Sequence, residues 1–231
     1  MAENVHKDHR KRMKEHYLQK GAAAFQDHQL LEMLLYFGIP QGDTNPAAHA
    51  LLDRFGCLQG ILQATPQQLM DVKGIGEHTA VLLSLCGTMV RKCGEELRPI
   101  GSQLQTPEDF GNFLLPRYWG ENNEAVFLIS MNNRNEVLNC SLITRGSINA
   151  AEVNIRLILQ QALLDNATRI VISHCHPSGH ALPSRADITT TVKLATMVSG
   201  AGISLIDHII VADGDFVSMR DTPTLRHIFA G

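Results

Sequence analysis

The chain has little of several things that would assign it a role at once. No run approaches the roughly 18 apolar residues needed to cross a bilayer, so no membrane-spanning part is expected. The opening Met1-Ala2-Glu3-Asn4-Val5-His6-Lys7-Asp8-His9-Arg10 has no apolar core and no small-residue cleavage site, which predicts no secretion signal. Cysteine is scarce, with five residues at 57, 86, 93, 140 and 175. An odd count without paired-knuckle spacing predicts neither a disulfide framework nor a four-cysteine zinc site, and a reducing cytoplasm is the expected setting. Positive charge is not in excess either: the net charge is −3, and residues 1–93 carry ten Lys/Arg against nine Asp/Glu. A strongly basic nucleic-acid footprint is therefore absent. Only the first twenty residues are locally basic, through Lys7, Arg10, Lys11, Arg12, Lys14 and Lys20.

What is present is an ordinary globular balance, 44% hydrophobic and 19% charged over 231 residues, which leaves room for two domains and no sign of disorder. The first half reads as helical. Leu30, Leu31, Met33, Leu34 and Leu35 follow the polar start Gln26-Asp27-His28. Ala47, Ala50, Leu51 and Leu52 build a second amphipathic stretch, Leu58, Ile61 and Leu62 a third, and Thr65-Pro66 opens the next turn. No strand pattern precedes about residue 120. Residues 94–105, with Gly94, Pro99, Gly101 and Ser102, read as a linker between domains 1–93 and 106–231, and Thr106 as the cap of the next helix.

The second half alternates. Strands are predicted at Ala125–Met131, Val137–Ile143, Arg169–Ser173, Ile203–Val211 and Phe216–Met219. Helices are predicted at Ala151–Leu164 and from Ser184 to about Val198, with a short last one at Thr224–Phe229. Strands alternating with helices indicate an α/β layered domain.

Eleven histidines are more informative than the cysteines, because three fall between positions 174 and 180. Side chains alternate along a strand, so His174 and His176 leave its end on one side and Cys175 on the other. Pro177 stops the ladder. Ser184 is a candidate helix cap, and Asp187 sits in the first turn, near the positive end of the helix dipole. A strand end facing a helix start could bring two imidazoles and a carboxylate to one point, the three-ligand open site of a catalytic zinc. Two plainer readings stand beside this one. Ser184-Arg185-Ala186-Asp187 has nearly the form of a capping box, whose role would be structural, and His-x-His pairs also occur as surface polar residues at strand ends.

The segment resembles the signature of the JAMM (MPN-plus) metalloproteases, His-x-His-Pro, six residues, Ser, two residues, Asp, at His174, His176, Pro177, Ser184 and Asp187. It is more similar still to the bacterial RadC family, through Pro177-Ser178-Gly179 and Pro183-Ser184-Arg185-Ala186-Asp187. Arg145-Gly146-Ser147-Ile148-Asn149 and Asp207-His208-Ile209-Ile210 extend that similarity across the C-terminal half. Two departures bear on the rim of the site: Asn154-Ile155 stands where His-Pro is frequent, and His180 where Asp is usual. The resemblance implies a cytidine-deaminase-like α/β domain holding one divalent metal ion, zinc above manganese, iron or nickel. It also implies a glutamate on an earlier strand as general base, a place that Glu124 matches, with Ser184 as donor to the oxyanion. Without the resemblance, Glu124 is a solvated strand-entry carboxylate. Glu152, a rival base, sits where it would serve a helix dipole. Cys175 is expected to pack, His180 to lie in solvent, and His208 to be a satisfied core histidine.

In the first half, Val72-Lys73-Gly74-Ile75-Gly76 before an apolar helix looks like a helix-hairpin-helix turn. Glycines let such a turn approach a phosphate, and the free N–H groups of the next helix favour an anion, so Lys73, Gly74 and Gly76 are candidate nucleic-acid contacts. Turns of this form also join purely packed helices. The RadC resemblance implies a domain of this kind at the N-terminus. Two functions follow as expectations. One is a zinc-dependent peptidase or isopeptidase acting on a peptide or protein. The other is a DNA-repair-associated, nucleic-acid-binding accessory protein with a structural or vestigial metal site.

Overall fold

The computed structural model describes residues 2–121, 123–146, 151–176 and 181–229, with the side chains of 2–7 and 151–154 left aside. The chain divides into two compact units, Met1–Val90 and Arg91–Gly231. The first is all helical, with α1 (Ala2–Lys20), α2 (Asp27–Gly38), α3 (Asn45–Phe55), α4 (Leu58–Gln63), α5 (Pro66–Met70) and the start of α6 (Glu77–Leu97). Local chemistry sets the ends of several of these. Thr65 accepts from the Gln68 N–H and Gln68 reaches back to the Thr65 N–H, a capping box with Pro66 at the first helical position. The core holds Leu31, Leu35, Leu51, Ile61, Leu69 and Leu83.

No apolar period marks α1 in the sequence. It is tied down by polar contacts instead: His9 Nε2 lies 2.9 Å from the buried Glu32 carboxylate, and the Arg10 guanidinium donates to the carbonyls of Pro40 and Gly42.

The expected linker needs correction at both ends. Residues 94–97 continue α6, whose regular hydrogen bonding absorbs Gly94. At the far end Leu104 is fully buried in the second unit's core, and Gln103 forms a bridge with Glu136. Glycine and proline content marked the segment as loose, whereas burial of one leucine holds its end in place.

The second unit has α7 (Pro107–Leu114, capped by Thr106), β1 (Ala125–Met131), β2 (Val137–Arg145), α8 (Ala151–Leu164), β3 (Arg169–Cys175), α9 (Arg185–Gly200), β4 (Ser204–Ala212) and β5 (Asp215–Ser218). The strands form one mixed sheet in the order β2-β1-β3-β4-β5. Only β3 and β4 run parallel, joined through α9; the other neighbours are antiparallel. Side chains of α7 and the following turn, Phe110, Phe113, Leu114 and Tyr118, pack with Ile129, Val171 and Ile209 on one face. On the other face, Ile155, Ile158 and Ala162 of α8 and Leu194 and Val198 of α9 cover Leu128, Ile170, Ile172 and Leu205. The result is an α/β layered domain preceded by a helical one.

Candidate metal centre

The alternation of β3 decides which side chains meet. Ile170 and Ile172 point to the α8/α9 face, so His174 does as well, while Val171 and Cys175 point to the α7 face. Cys175 is buried there and donates to the carbonyl of Asn123, so it is no ligand. His176 lies just past the strand, its N–H held by the carbonyl of Val211.

Opposite this strand end, α9 begins. The Ser184 side chain accepts from the Asp187 N–H at 3.1 Å, and the Ser184 N–H donates to Asp187 Oδ2 at 2.7 Å. The capping box is thus real, and it does not exclude the metal reading. It turns the Asp187 carboxylate so that Oδ1 lies 3.2 Å from His174 Nε2, while Oδ2 lies 3.7 Å from His176 Nε2. The two imidazole Nε2 atoms are 2.9 Å apart. A tetrahedral ion with bonds of about 2.0–2.1 Å holds its ligand atoms about 3.3 Å apart, and the observed separations, which involve one Asp187 oxygen for each histidine, straddle that value. His174, His176 and Asp187 therefore fit a small divalent ion as three ligands from one side. Two imidazoles and a carboxylate are a borderline donor set that suits zinc and neighbouring transition metals.

Electrostatics agree with the geometry. Burial pushes the Asp187 carboxyl up, but hydrogen bonds from His174 and Ser184, with the His174 charge, outweigh it and hold the group below the ordinary carboxylate range. Asp187 is an anion at neutral pH.

Behind the ligands stands a residue expected only as a core histidine. His208, 4% exposed, has Nε2 at 2.8 Å from His174 Nδ1 and Nδ1 at 2.6 Å from Thr191 Oγ1. Burial, then the neighbouring His174, holds its pKa well below the usual histidine range, so the ring is neutral. It is satisfied, as expected, but by a residue of the candidate metal cluster. The signal was available in the apolar strand that flanks His208, because a buried imidazole must find a partner.

The remaining candidates are placed less closely. Glu124 is exposed at the entry to β1, and its carboxylate makes no hydrogen bond or ion pair among the described residues. Val126 pairs with His174, so continuing that antiparallel register by two residues sets Glu124 across from His176. His180 and the Pro177-Ser178-Gly179 segment lie outside the described residues, as do Ser147–Asn149 and the side chains of Glu152 and Asn154. In the helical unit, Lys73, Gly74 and Gly76 form an exposed turn between α5 and α6, held by the buried Val72 and Ile75. Gly74 has φ +92°, which only glycine adopts without strain. Glu77 occupies the first turn of α6, where its charge competes with any phosphate for the helix N-terminus.

Residues 104–224 match the family described as RadC-like JAB domain, and residues 5–81 match UPF0758 N-terminal. The chain belongs to the RadC-like JAB family. Relatives agree along nearly the full length. A UPF0758 protein of Marinobacter nauticus is 31% identical over 210 residues, covering 91% of this chain and 94% of its own. One from Nitrosococcus oceani is 33% identical over the same shares, and one from a Geobacillus strain is 33% identical over 96% and 97%. The RadC-like JAB match spans every residue of the candidate metal cluster and its histidine neighbour. No described helix is long and apolar enough to cross a membrane.

Proposed function

We propose that the C-terminal unit is a metal-dependent hydrolase of peptide or isopeptide bonds, with one divalent ion, zinc by preference, held by His174, His176 and Asp187. The observation that carries this reading is the gathering of two imidazole Nε2 atoms, 2.9 Å apart, around one carboxylate, with Asp187 Oδ1 3.2 Å from His174 and Oδ2 3.7 Å from His176. A bound ion supplies Lewis acidity, which acidifies a water and polarises an amide carbonyl. The ligands approach from β3 and α9, an arrangement compatible with an open coordination position.

Glu124 is the proposed general base, taking the proton of the attacking water and returning it to the leaving amine. Its support is the strand register, which runs toward His176, and an exposed carboxylate with no competing partner among the described residues. Ser184 is the proposed oxyanion donor. Its Oγ accepts from the Asp187 N–H, which leaves its own O–H proton to donate, so the capping role and the catalytic one are compatible.

The deciding experiment measures metal content and hydrolysis together. Purified wild type should carry about one zinc per chain, and His176→Ala should lose it. Glu124→Ala should keep the metal and lose the cleavage of a peptide library by at least about 100-fold. A wild type that stays metal-free after zinc is offered at neutral pH sinks the reading.

A further inference from the structure

The contacts behind His174 form a closed chain. Thr191 lies one helical turn after Asp187 on α9 and is fully buried; its Oγ1 is 2.6 Å from the Asp187 backbone carbonyl and 2.6 Å from His208 Nδ1. The parallel register of β3 and β4 puts His208 beside Ile172, on the same face as His174 and two residues before it. From there its ring reaches diagonally, and Nε2 comes 2.8 Å from His174 Nδ1.

Proton directions follow from the one atom in the chain that cannot donate. The Asp187 carbonyl only accepts, and two oxygens 2.6 Å apart repel unless a proton lies between them, so Thr191 must donate to it. The methionine sulfur at 3.7 Å, Met219 Sδ, is a far weaker rival for that proton. With its single proton committed, Thr191 Oγ1 can only accept from His208, so His208 carries its proton on Nδ1. His208 Nε2 is then an acceptor, and His174 Nδ1 donates to it. What remains on His174 is Nε2, which can accept from His176 Nε2 at 2.9 Å; the ionised Asp187 Oδ1, 3.2 Å away, is the more distant rival that would draw a proton there.

We infer that Thr191 and His208 are positioning residues of the metal centre, forming a hydrogen-bond chain from the Asp187 carbonyl that fixes His174 as the Nδ1–H tautomer and turns its Nε2 to the ion. The inference rests on the proposed hydrolase reading only for its zinc arm; the tautomer belongs to the protein without metal. The chain starts on one ligand and ends on another, so the helix start and the strand end are set relative to each other before any ion arrives. A histidine takes the orienting role that carboxylates or carbonyls fill behind most metal-bound imidazoles.

Thr191→Val removes the hydroxyl at nearly constant volume. His208 then loses the acceptor for Nδ1–H, and the better-satisfied arrangement moves its proton to Nε2, which forces His174 Nδ1 to accept and its Nε2 to carry a proton. His208→Phe removes the acceptor outright, whereas His208→Gln can keep an acceptor oxygen near the place of Nε2.

The test uses the full chain, labelled with 15N-histidine and stripped of metal, at mildly alkaline pH. Long-range 1H–15N correlation should show His174 protonated on Nδ1 in the wild type and on Nε2 in Thr191→Val. Zinc ion is then added in competition with a chelator: Thr191→Val and His208→Phe should bind about 10- to 100-fold more weakly than wild type, with His208→Gln in between. A wild-type His174 protonated on Nε2 overturns the inference whatever the metal does. Unchanged zinc affinity in folded Thr191→Val and His208→Phe overturns it as well. If the wild type takes up no zinc, the hydrolase reading fails, and the tautomer measurement still decides this inference.

Discussion

Ser184 and Asp187 cap α9 in both directions, N–H to Oδ2 at 2.7 Å and N–H to Oγ at 3.1 Å, while Asp187 Oδ1 stays turned to His174. One residue pair therefore serves the helix and the candidate metal cluster together, and the two roles are separable by substitution. Ser184→Ala should lower folding stability by about 1 kcal/mol, whereas Ser184→Gly should cost only a few tenths. If the hydroxyl is the oxyanion donor, both variants lose hydrolysis by about 100-fold or more. Thermal melts beside turnover of a cleaved peptide check this, and near-normal activity in the glycine variant would leave Ser184 a cap alone.

Acid stability of the metal-free protein should carry the signature of Asp187. Its folded-state pKa lies below the ordinary value of about 4, so its contribution is complete above that pH and drains away as pH falls below it. Asp187→Asn removes this dependence. Urea midpoints of wild type and variant should differ most above about pH 4 and converge as the pH falls further. A gap that does not change with pH would show that His174 and Ser184 do not favour the ionised form.

The cysteines should divide by accessibility. Burial pushes the Cys140 thiol up to about 12 against the opposing charge of Arg117, and burial raises Cys175 as well. Cys57 and Cys93 are exposed. Iodoacetamide at neutral pH should therefore modify Cys57 and Cys93 and spare Cys140 and Cys175 until urea is added, as read by peptide mass mapping. Rapid labelling of Cys175 would contradict its placement on the α7 face of β3.

The turn between α5 and α6 offers a matched pair of substitutions. Gly74→Ala forces a side chain into φ +92° and should cost about 1 kcal/mol, whereas an added Cβ at Gly76 meets nothing within 4 Å and should cost no more than about 0.5. Gly76→Ala is thus the variant for probing duplex DNA contact in a folded protein. If the turn touches phosphate, Gly76→Ala weakens binding, and Lys73→Ala lowers the salt slope by about one. Wild-type protein that shows no salt-dependent retention of duplex in a titration ends the DNA reading.

Elements with their own periodicity or caps were legible from local sequence. The five strands, the helices at Ala151 and Ser184, and the cap at Thr106 needed only alternation and side-chain chemistry near each end. α1 was not, because it lacks an apolar stripe and depends on partners such as Glu32, 23 residues away from His9. The linker misled for a similar reason, since glycine and proline describe local freedom and say nothing of the core position that Leu104 fills.

For the site, the sequence by itself determined that His174 and His176 share a face and that Asp187 opens a helix, because strand alternation and helix capping act over a few residues. Tertiary structure decided the rest. Which strand lies beside β3 is set by long-range pairing, and it is the parallel β3–β4 neighbourhood, with α9 laid across it, that brings His208 and Thr191 behind His174. Alternation can say which way a histidine points, but only the packed sheet determines what meets its second nitrogen.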